Sequence, residues 1–374
     1  MKIEKIECFP VLYELPRPFS NSAETHTKRS TTLVKITTDT NIVGWGEAYG
    51  PAKGVVGIID GYLKEKFLGQ NPLNVEYLWF KTMSHKGISP GALAGIDIAL
   101  WDIKAKFLNI PLYELLGGLS SPKLFPYATG FFFGEKNPDS LEVFEKEIET
   151  ILSQGFKAVK VKIGFGLSRD LKRLNRLREL IGPDIDIMVD ANQAYDFRTC
   201  LSLIPELEDL KIRWLEEPMA WHSFDSYKKL REKTIIPIAG GEAEYSYSGF
   251  VNAISKECVD IIQPDILACG GLTIARRIVL IAEAFGVEFQ PHIFGGVLSL
   301  ALAIQLVASL SANQQWMTFP RPIMIEWDST ENPFSKELLK TPLQLEKDGI
   351  HLVSNKPGIG IDINEDAIEK YIIK

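Results

Sequence analysis

The sequence predicts an α/β protein: a closed barrel of eight parallel strands with a smaller α+β domain attached. Three observations predict it. From about residue 121 to 320, short apolar runs alternate with amphipathic helical stretches. Six chemically loaded residues, Lys162, Asp190, Glu216, Glu242, Asp265 and His292, each end one of those runs or closely follow it. Their steps are about 23 to 28 residues, roughly one βα unit. The first 60 or so residues are β-rich and lead into a long helix, outside the alternating pattern. An open sheet would gather its ligands at one switch point, so functional residues after nearly every strand favour closure.

In order along the chain, KIEKIECFPVLYEL, STTLVKITTDT and NIVGWGEAYG read as strands. The polar stretch PRPFSNSAETHTKRS between the first two reads as a loop. Ser89–Pro90 then starts the helix GALAGIDIALWDIKAKFL, where Leu93, Ile96, Leu100, Ile103 and Phe107 form one apolar face. The barrel strands are FPYATG, AVKVKIG, IDIMVDAN, RWLEEP, IPIAGGE, VDIIQPD and VEFQPH, with helices such as SRDLKRLNRLRELI and GLTIARRIVLIAEAFG between them. The expected divisions are 1–120 for the capping domain, 121–325 for the barrel, and 326–374 for a C-terminal segment that returns to the cap.

At 374 residues, 45% apolar and 24% charged, the chain suits one large core plus a smaller one. A net charge of −7 argues against nucleic acid as a partner. It does not argue against an anionic substrate, because a metal ion and local lysines would set the field in a cleft. Cys8, Cys200, Cys258 and Cys269 are scattered without metal-site or disulfide spacing, which predicts free thiols. No signal-peptide core and no run of ~20 apolar residues is present, so a cytoplasmic protein without a membrane partner is expected.

Asp190, Glu216 and Glu242 follow successive strands. One such carboxylate is ordinarily a cap or ion-pair partner, but three converging in one mouth would repel unless a cation lay between them. Hard oxygen ligands suit Mg²⁺, with Mn²⁺ as the alternative. Glu217 should point off the opposite side of its strand, and Asn192 lies on the same face as Asp190. Lys160 and Lys162 also share a face, pointing into the barrel, where like charge and desolvation would lower a lysine pKa toward that of a general base. Asp265 and His292 form a natural dyad, the carboxylate fixing the imidazole tautomer. His26 stands in the polar N-terminal stretch and is a candidate substrate contact over the barrel mouth.

The set KVK, DAN, EEP, GGE, PD…GG and PH resembles the enolase superfamily, and within it the mandelate racemase subgroup. SPGALAGIDIALWDIKAKFLNIPLYELLGG and KPGIGIDINEDAIEKY extend the likeness over nearly the whole chain. The resemblance implies a (β/α)₇β barrel with an α+β capping domain, an essential Mg²⁺ and removal of the proton α to a carboxylate. By position it makes Asp190, Glu216 and Glu242 the metal ligands and Lys162 the base on one face. Lys160 would help to neutralise the substrate carboxylate, and His292, paired with Asp265, would be the acid/base on the other face. Glu326, in MIEWD, resembles the glutamic acid that donates a hydrogen bond to the substrate carboxylate. Muconate-lactonizing-type relatives carry an acid/base lysine after the sixth strand instead of this His–Asp pair. The expected function is therefore an acid-sugar (aldonate) dehydratase giving a 2-keto-3-deoxy acid, with racemisation or epimerisation of a 2-hydroxy acid as the alternative. The hydroxyl-rich stretch around His26 suits a polyol chain, and a homo-oligomer is expected.

Overall fold

The computed structural model describes residues 1–83, 88–134, 141–312, 321–346, 350–351 and 355–373. The chain opens with an antiparallel meander, β1 (Ile3–Ser20), β2 (Thr25–Thr38) and β3 (Val43–Ala48). The helix Pro90–Leu108 lies across it, starting at the Ser89 hydroxyl, which accepts from the Ala92 N–H, and ending at Asn109 in the left-handed region. Its approach is close because β3 carries glycines: a Cβ on Gly46 would lie 1.9 Å from the Gly95 carbonyl oxygen.

The stretch expected as a loop is mostly strand. β1 runs on through Pro16 and Pro18 with a register shift between Glu14 and Phe19, then pairs Phe19 with His26 and Ser20 with Thr25. The polar residues and prolines suggest a loop, yet they occupy a hairpin arm in which the irregularity accommodates proline. Only residues 21–24 turn.

The barrel begins with β4 (Lys123–Gly130). The two-residue β5 (Phe133–Gly134) follows and pairs with the tip of β1. Then come β6 (Ala158–Lys162), β7 (Asp186–Asp190), β8 (Ile212–Glu216), β9 (Ile238–Gly240), β10 (Ile261–Ile262), β11 (Glu288–Phe289) and β12 (Met324–Asp328). β4 and β6 to β11 pair in sequence, all parallel, and β12 returns to β4. Among the described residues seven helices cross between the strands, and the architecture is the expected (β/α)₇β barrel with its α+β cap. The crossover helix Leu167–Ile181 shows why: Leu174, Leu177 and Ile181 face inward with the buried Asp170 and Arg173, and its other charged residues lie toward solvent. Inside the barrel, Tyr127, Ala158, Met188, Trp214, Ala239, Ile261 and Met324 form an apolar floor beneath the mouth.

A short strand, β13 (Ile350–His351), adds to β4 antiparallel. The final helix, Glu365–Tyr371, packs back on the cap, where Tyr371 and Ile368 join Val11 and Leu33 in a buried cluster and Lys35 pairs with Glu365 at 2.6 Å. No described helix is long and apolar enough to cross a membrane. The four cysteines are free thiols.

Candidate active site

Strand register builds the site. Lys162 stands beside Asp190, and Asp190 beside Glu216, at the C-terminal ends of β6, β7 and β8. Glu242 follows β9 after Gly241, whose φ of +130° few side chains would tolerate. Asp190, Glu216 and Glu242 each offer an oxygen, and these atoms lie within 4.8 Å of one another. Beyond the strand ends, Asn192, Gln193 and Glu217 have φ values of 42°, 66° and 38°. Such strain, about 1–3 kcal/mol per residue, is characteristic of functional loops. It returns the Asn192 side chain to the cluster, where Nδ2 donates to Glu242 Oε1 at 3.2 Å. Asn192 Oδ1 is buried with no donor among the described residues. Three convergent carboxylates beside an unsatisfied amide oxygen fit a hard divalent cation of the Mg²⁺ type. Glu217 stays out of the cluster: its carboxyl accepts from Gln193 Nε2 at 3.0 Å.

Glu216 is held from below. Its Oε2 accepts from Trp214 Nε1 at 3.0 Å and Gln263 Nε2 at 2.8 Å. Sequence reasoning missed both partners, although the period of two was a usable signal: Trp214 precedes Glu216, and Gln263 precedes Asp265, by two residues. Lys160 is fully buried between Glu216 at 2.6 Å and Glu326 at 2.7 Å. Lys162 pairs with Asp190, and its ammonium lies 5.3 Å from the centre of the Phe132 ring.

The expected lowering of the lysine pKa values is not found. Burial pulls each ammonium down, but the carboxylates pull harder: Glu216 and Glu326 at Lys160, Asp190 and Glu242 at Lys162. The net direction is up for both. The sequence shows two neighbouring cations, whereas the folded site surrounds them with a larger number of anions.

Asp265 and His292 meet as expected. The imidazole Nδ1 donates to Asp265 Oδ2 at 2.9 Å, and Nε2 lies 3.0 Å from Glu242 Oε2. The other oxygen of Asp265 accepts from Leu267 N and Ala268 N at 2.8 and 3.0 Å, which fixes the carboxylate. Burial disfavours charge on His292, but Glu242, Glu326 and Asp265 outweigh it and raise the pKa to about 10. Glu326 lies buried beside this dyad. Its Oε1 accepts from Thr129 Oγ1 at 2.5 Å and faces Lys160, and Oε2 accepts from Ile293 N at 2.9 Å. Burial raises its pKa, yet Lys160 and His292 bring it down to about 2. In the folded site Glu326 is an acceptor, held between Thr129, Lys160 and the Ile293 N–H.

His26 lies on β2 instead of in a loop, and its neighbours are aromatic. Ring centroids of Phe19, Phe294 and Phe132 lie at 5.1, 5.5 and 6.1 Å. Burial lowers its pKa. Phe19 and Phe132 are 4.6 Å apart, and the Arg29 guanidinium sits 4.6 Å from the Phe294 ring while pairing with Asp328 at 2.8 Å. The mouth beside Lys162 is thus walled by rings, where the sequence suggested hydroxyls. The run Phe131–Phe133 directly after a barrel strand was the available signal.

Residues 5–117 match the model of the mandelate racemase / muconate lactonizing enzyme N-terminal domain, and residues 143–367 match the enolase C-terminal domain-like model. The chain belongs to the enolase superfamily and is mandelate racemase-like. This superfamily member is 35% identical to a D-galactarolactone cycloisomerase of Agrobacterium fabrum, over 99% of each chain. It is 34% identical to an arabinonate dehydratase of Saccharolobus solfataricus, over 91% of this chain and 90% of the relative. Among solved structures it is similar to the 3,6-anhydro-D-galactonate cycloisomerase from Zobellia galactanivorans, with 38% identity, a TM-score of 0.87 and full coverage of both chains. Such relatives are enzymes, and so is this member.

Proposed function

We propose that this protein is a Mg²⁺-dependent acid-sugar lyase that removes the proton α to a substrate carboxylate and expels the oxygen on the β-carbon. One observation carries the reading. Lys162 abuts Asp190 and His292 abuts Glu242, so two proton-moving groups stand at opposite ends of one carboxylate cluster. Asp190, Glu216 and Glu242 would hold the cation, with Asn192 orienting Glu242; Mn²⁺ is the alternative ion. When bound, the cation supplies positive charge for the anion that develops on the substrate carboxylate and takes over part of the pull that raises the lysine pKa values. Lys162 takes the α-proton when it faces that side. Lys160, fixed between Glu216 and Glu326, adds a permanent positive charge beneath. His292, oriented through Nδ1 by Asp265, gives its Nε2 proton to the departing oxygen.

With an open-chain aldonate the departing group is water and the product a 2-keto-3-deoxy acid; the arabinonate dehydratase relative supports this outcome. A stereochemically complete library of aldonates and aldarates, assayed with Mg²⁺ for 2-keto acid release, tests it. Turnover of at least one member is expected, and none across the library would overturn the reading. A second outcome is favoured by the ring-walled mouth and by the cycloisomerase relatives. In it the departing oxygen is a ring oxygen of a lactone or anhydro acid, and nothing is lost. Aromatic faces pack against the C–H faces of a compact ring better than against a hydrated polyol. Mass spectrometry separates the two: the isomerised product keeps the substrate's mass, the dehydrated one is lighter by water. Inverted, α-deuterated substrate in D₂O without keto product would instead indicate an epimerase.

A further inference from the structure

Some barrel helices cap themselves. Asp196 accepts from Thr199 N at 2.8 Å at the start of Phe197–Asp209, and Ser246 accepts from Gly249 N at 3.0 Å at the start of Tyr247–Ser255. The helices Leu272–Phe285 and Val297–Ser309 begin instead at glycines, Gly271 and Gly296, with no side-chain cap of their own. Their first-turn N–H groups are met from the other domain. Glu47, on β3, accepts from Leu298 N and Ser299 N, both at 3.1 Å, while its second oxygen accepts from Thr31 Oγ1 at 2.6 Å. Asp97, in the long capping helix, accepts from Thr273 N at 3.0 Å and Thr273 Oγ1 at 2.5 Å. Trp101 of the same helix also donates to Thr273 Oγ1 at 2.9 Å. The two carboxyl side chains are buried, and the glycines make room for them. A Cβ on Gly296 would lie 2.1 Å from Glu47 Oε1, and one on Gly271 would lie 2.4 Å from Asp97 Oδ2.

These are the two helices that follow Asp265 and His292. The link is tight: Cys269 N donates to the Asp265 carbonyl and Gly271 N to that of Ile266, both at 2.9 Å, and Gly295 O accepts from Asn332 Nδ2 at 2.9 Å. The β6 loop that follows Lys162 is pinned differently, by Asp170 of its own barrel unit, which accepts from Gly164 N at 3.1 Å. We propose that Glu47 and Asp97 are positioning residues for the Asp265–His292 dyad. The capping domain supplies the N-terminal caps of both helices that end the dyad loops, and so sets the distance between those loops. Partial positive charge at a helix N-terminus holds a carboxylate, and a cap that belongs to another domain makes the helix follow that domain. Neither residue touches the reacting groups. Their importance to turnover rests on His292 being a proton-transfer group.

The full chain with Mg²⁺, labelled with ¹⁵N-histidine, tests the geometry without turnover. The His292 Nδ1–H resonance, assigned by its absence in His292→Asn, reports the bond to Asp265. Glu47→Leu and Asp97→Leu, which leave the helix N–H groups buried without acceptors, are expected to lose it. Glu47→Gln and Asp97→Asn, which keep an acceptor, are expected to retain it. Ile36→Ala, which loosens the cap core without touching either helix, is also expected to retain it. Glu47→Asp, which withdraws the carboxylate by one carbon, should weaken the resonance and serves if the leucine variants do not fold. Retention in a leucine variant overturns that residue's assignment, an undiminished resonance in Glu47→Asp overturns the assignment of Glu47, and loss in Ile36→Ala overturns the proposal. Because the resonance needs no substrate, a His292 that proves idle in turnover would leave this result standing and count only against the catalytic reading.

Discussion

Gln290 joins two strands that form no backbone ladder among the described residues: its Oε1 accepts from Met324 N at 2.7 Å and its Nε2 donates to the Pro322 carbonyl at 3.2 Å. Above it, Glu326 Oε2 accepts from Ile293 N, so two side chains close the barrel between β11 and β12. Gln290→Leu keeps the volume but strands the buried Met324 N–H. A loss of about 1–3 kcal/mol is expected, read as a lower urea midpoint at unchanged slope. A wild-type midpoint would mean that the barrel closes by other contacts.

The carboxylate cluster makes metal binding a stability term. Asp190, Glu216 and Glu242 lie close enough to repel, and a cation that binds only the folded chain stabilises it by mass action. At a hundredfold excess of Mg²⁺ over its dissociation constant the gain is about 2.7 kcal/mol. Thermal unfolding should shift upward with Mg²⁺ and back with chelator, and Glu216→Gln should lose most of the shift. An identical Mg²⁺ response in that variant would remove Glu216 from the ligand set.

Two buried carboxyls away from the site set an acid-side trend. Burial raises Asp97 to about 7 against the opposing hydrogen bonds from Thr273, and it raises Glu147 to about 7 against one from Phe131 N. Unfolded values are about 3.9 and 4.3. Between those values and 7 the folded chain holds more protons than the unfolded one, so their stabilising contribution is complete below the unfolded pKa and is lost as pH rises through 7. The double variant Asp97→Asn, Glu147→Gln should therefore flatten the decline in urea midpoint from about pH 5 to 8. Parallel profiles for wild type and variant would contradict the raised values.

The ladder from Lys162 to His292 was legible because a strand carries its own code. Side chains alternate, and a charged residue closing an apolar run can face only the mouth or the helices. The same code held Trp214, Gln263 and Gln290, each two residues before a ladder member, but polar and aromatic residues one layer down look like ordinary core. The proline-containing end of β1 was misread because a solvent-facing hairpin arm and a loop share their composition. Glu47 and Asp97 were invisible for a different reason. Each meets a helix N-terminus more than 170 residues away, and the glycines that make room look like ordinary helix starts. The lysine pKa direction needed a count of anions in space, including Glu326, which lies more than 160 residues from Lys160.

The two proton-moving groups can be separated by isotope exchange. Lys162 and His292 touch different members of the carboxylate cluster, and neither is a proposed ligand, so substituting either should leave Mg²⁺ binding intact. Loss of a general acid or base costs about 10²–10⁴-fold. If the substrate's α-proton faces Lys162, His292→Asn should lower product formation by that factor while α-deuterium still enters recovered substrate from D₂O, and Lys162→Ala should stop both. If the proton faces His292, that group both abstracts it and protonates the leaving oxygen, and His292→Asn should stop exchange and product together. Either pattern identifies the face and hence the substrate's configuration at the α-carbon. Near-wild-type turnover by His292→Asn would leave the Asp265–His292 pair without a catalytic role, and the leaving oxygen would need another acid.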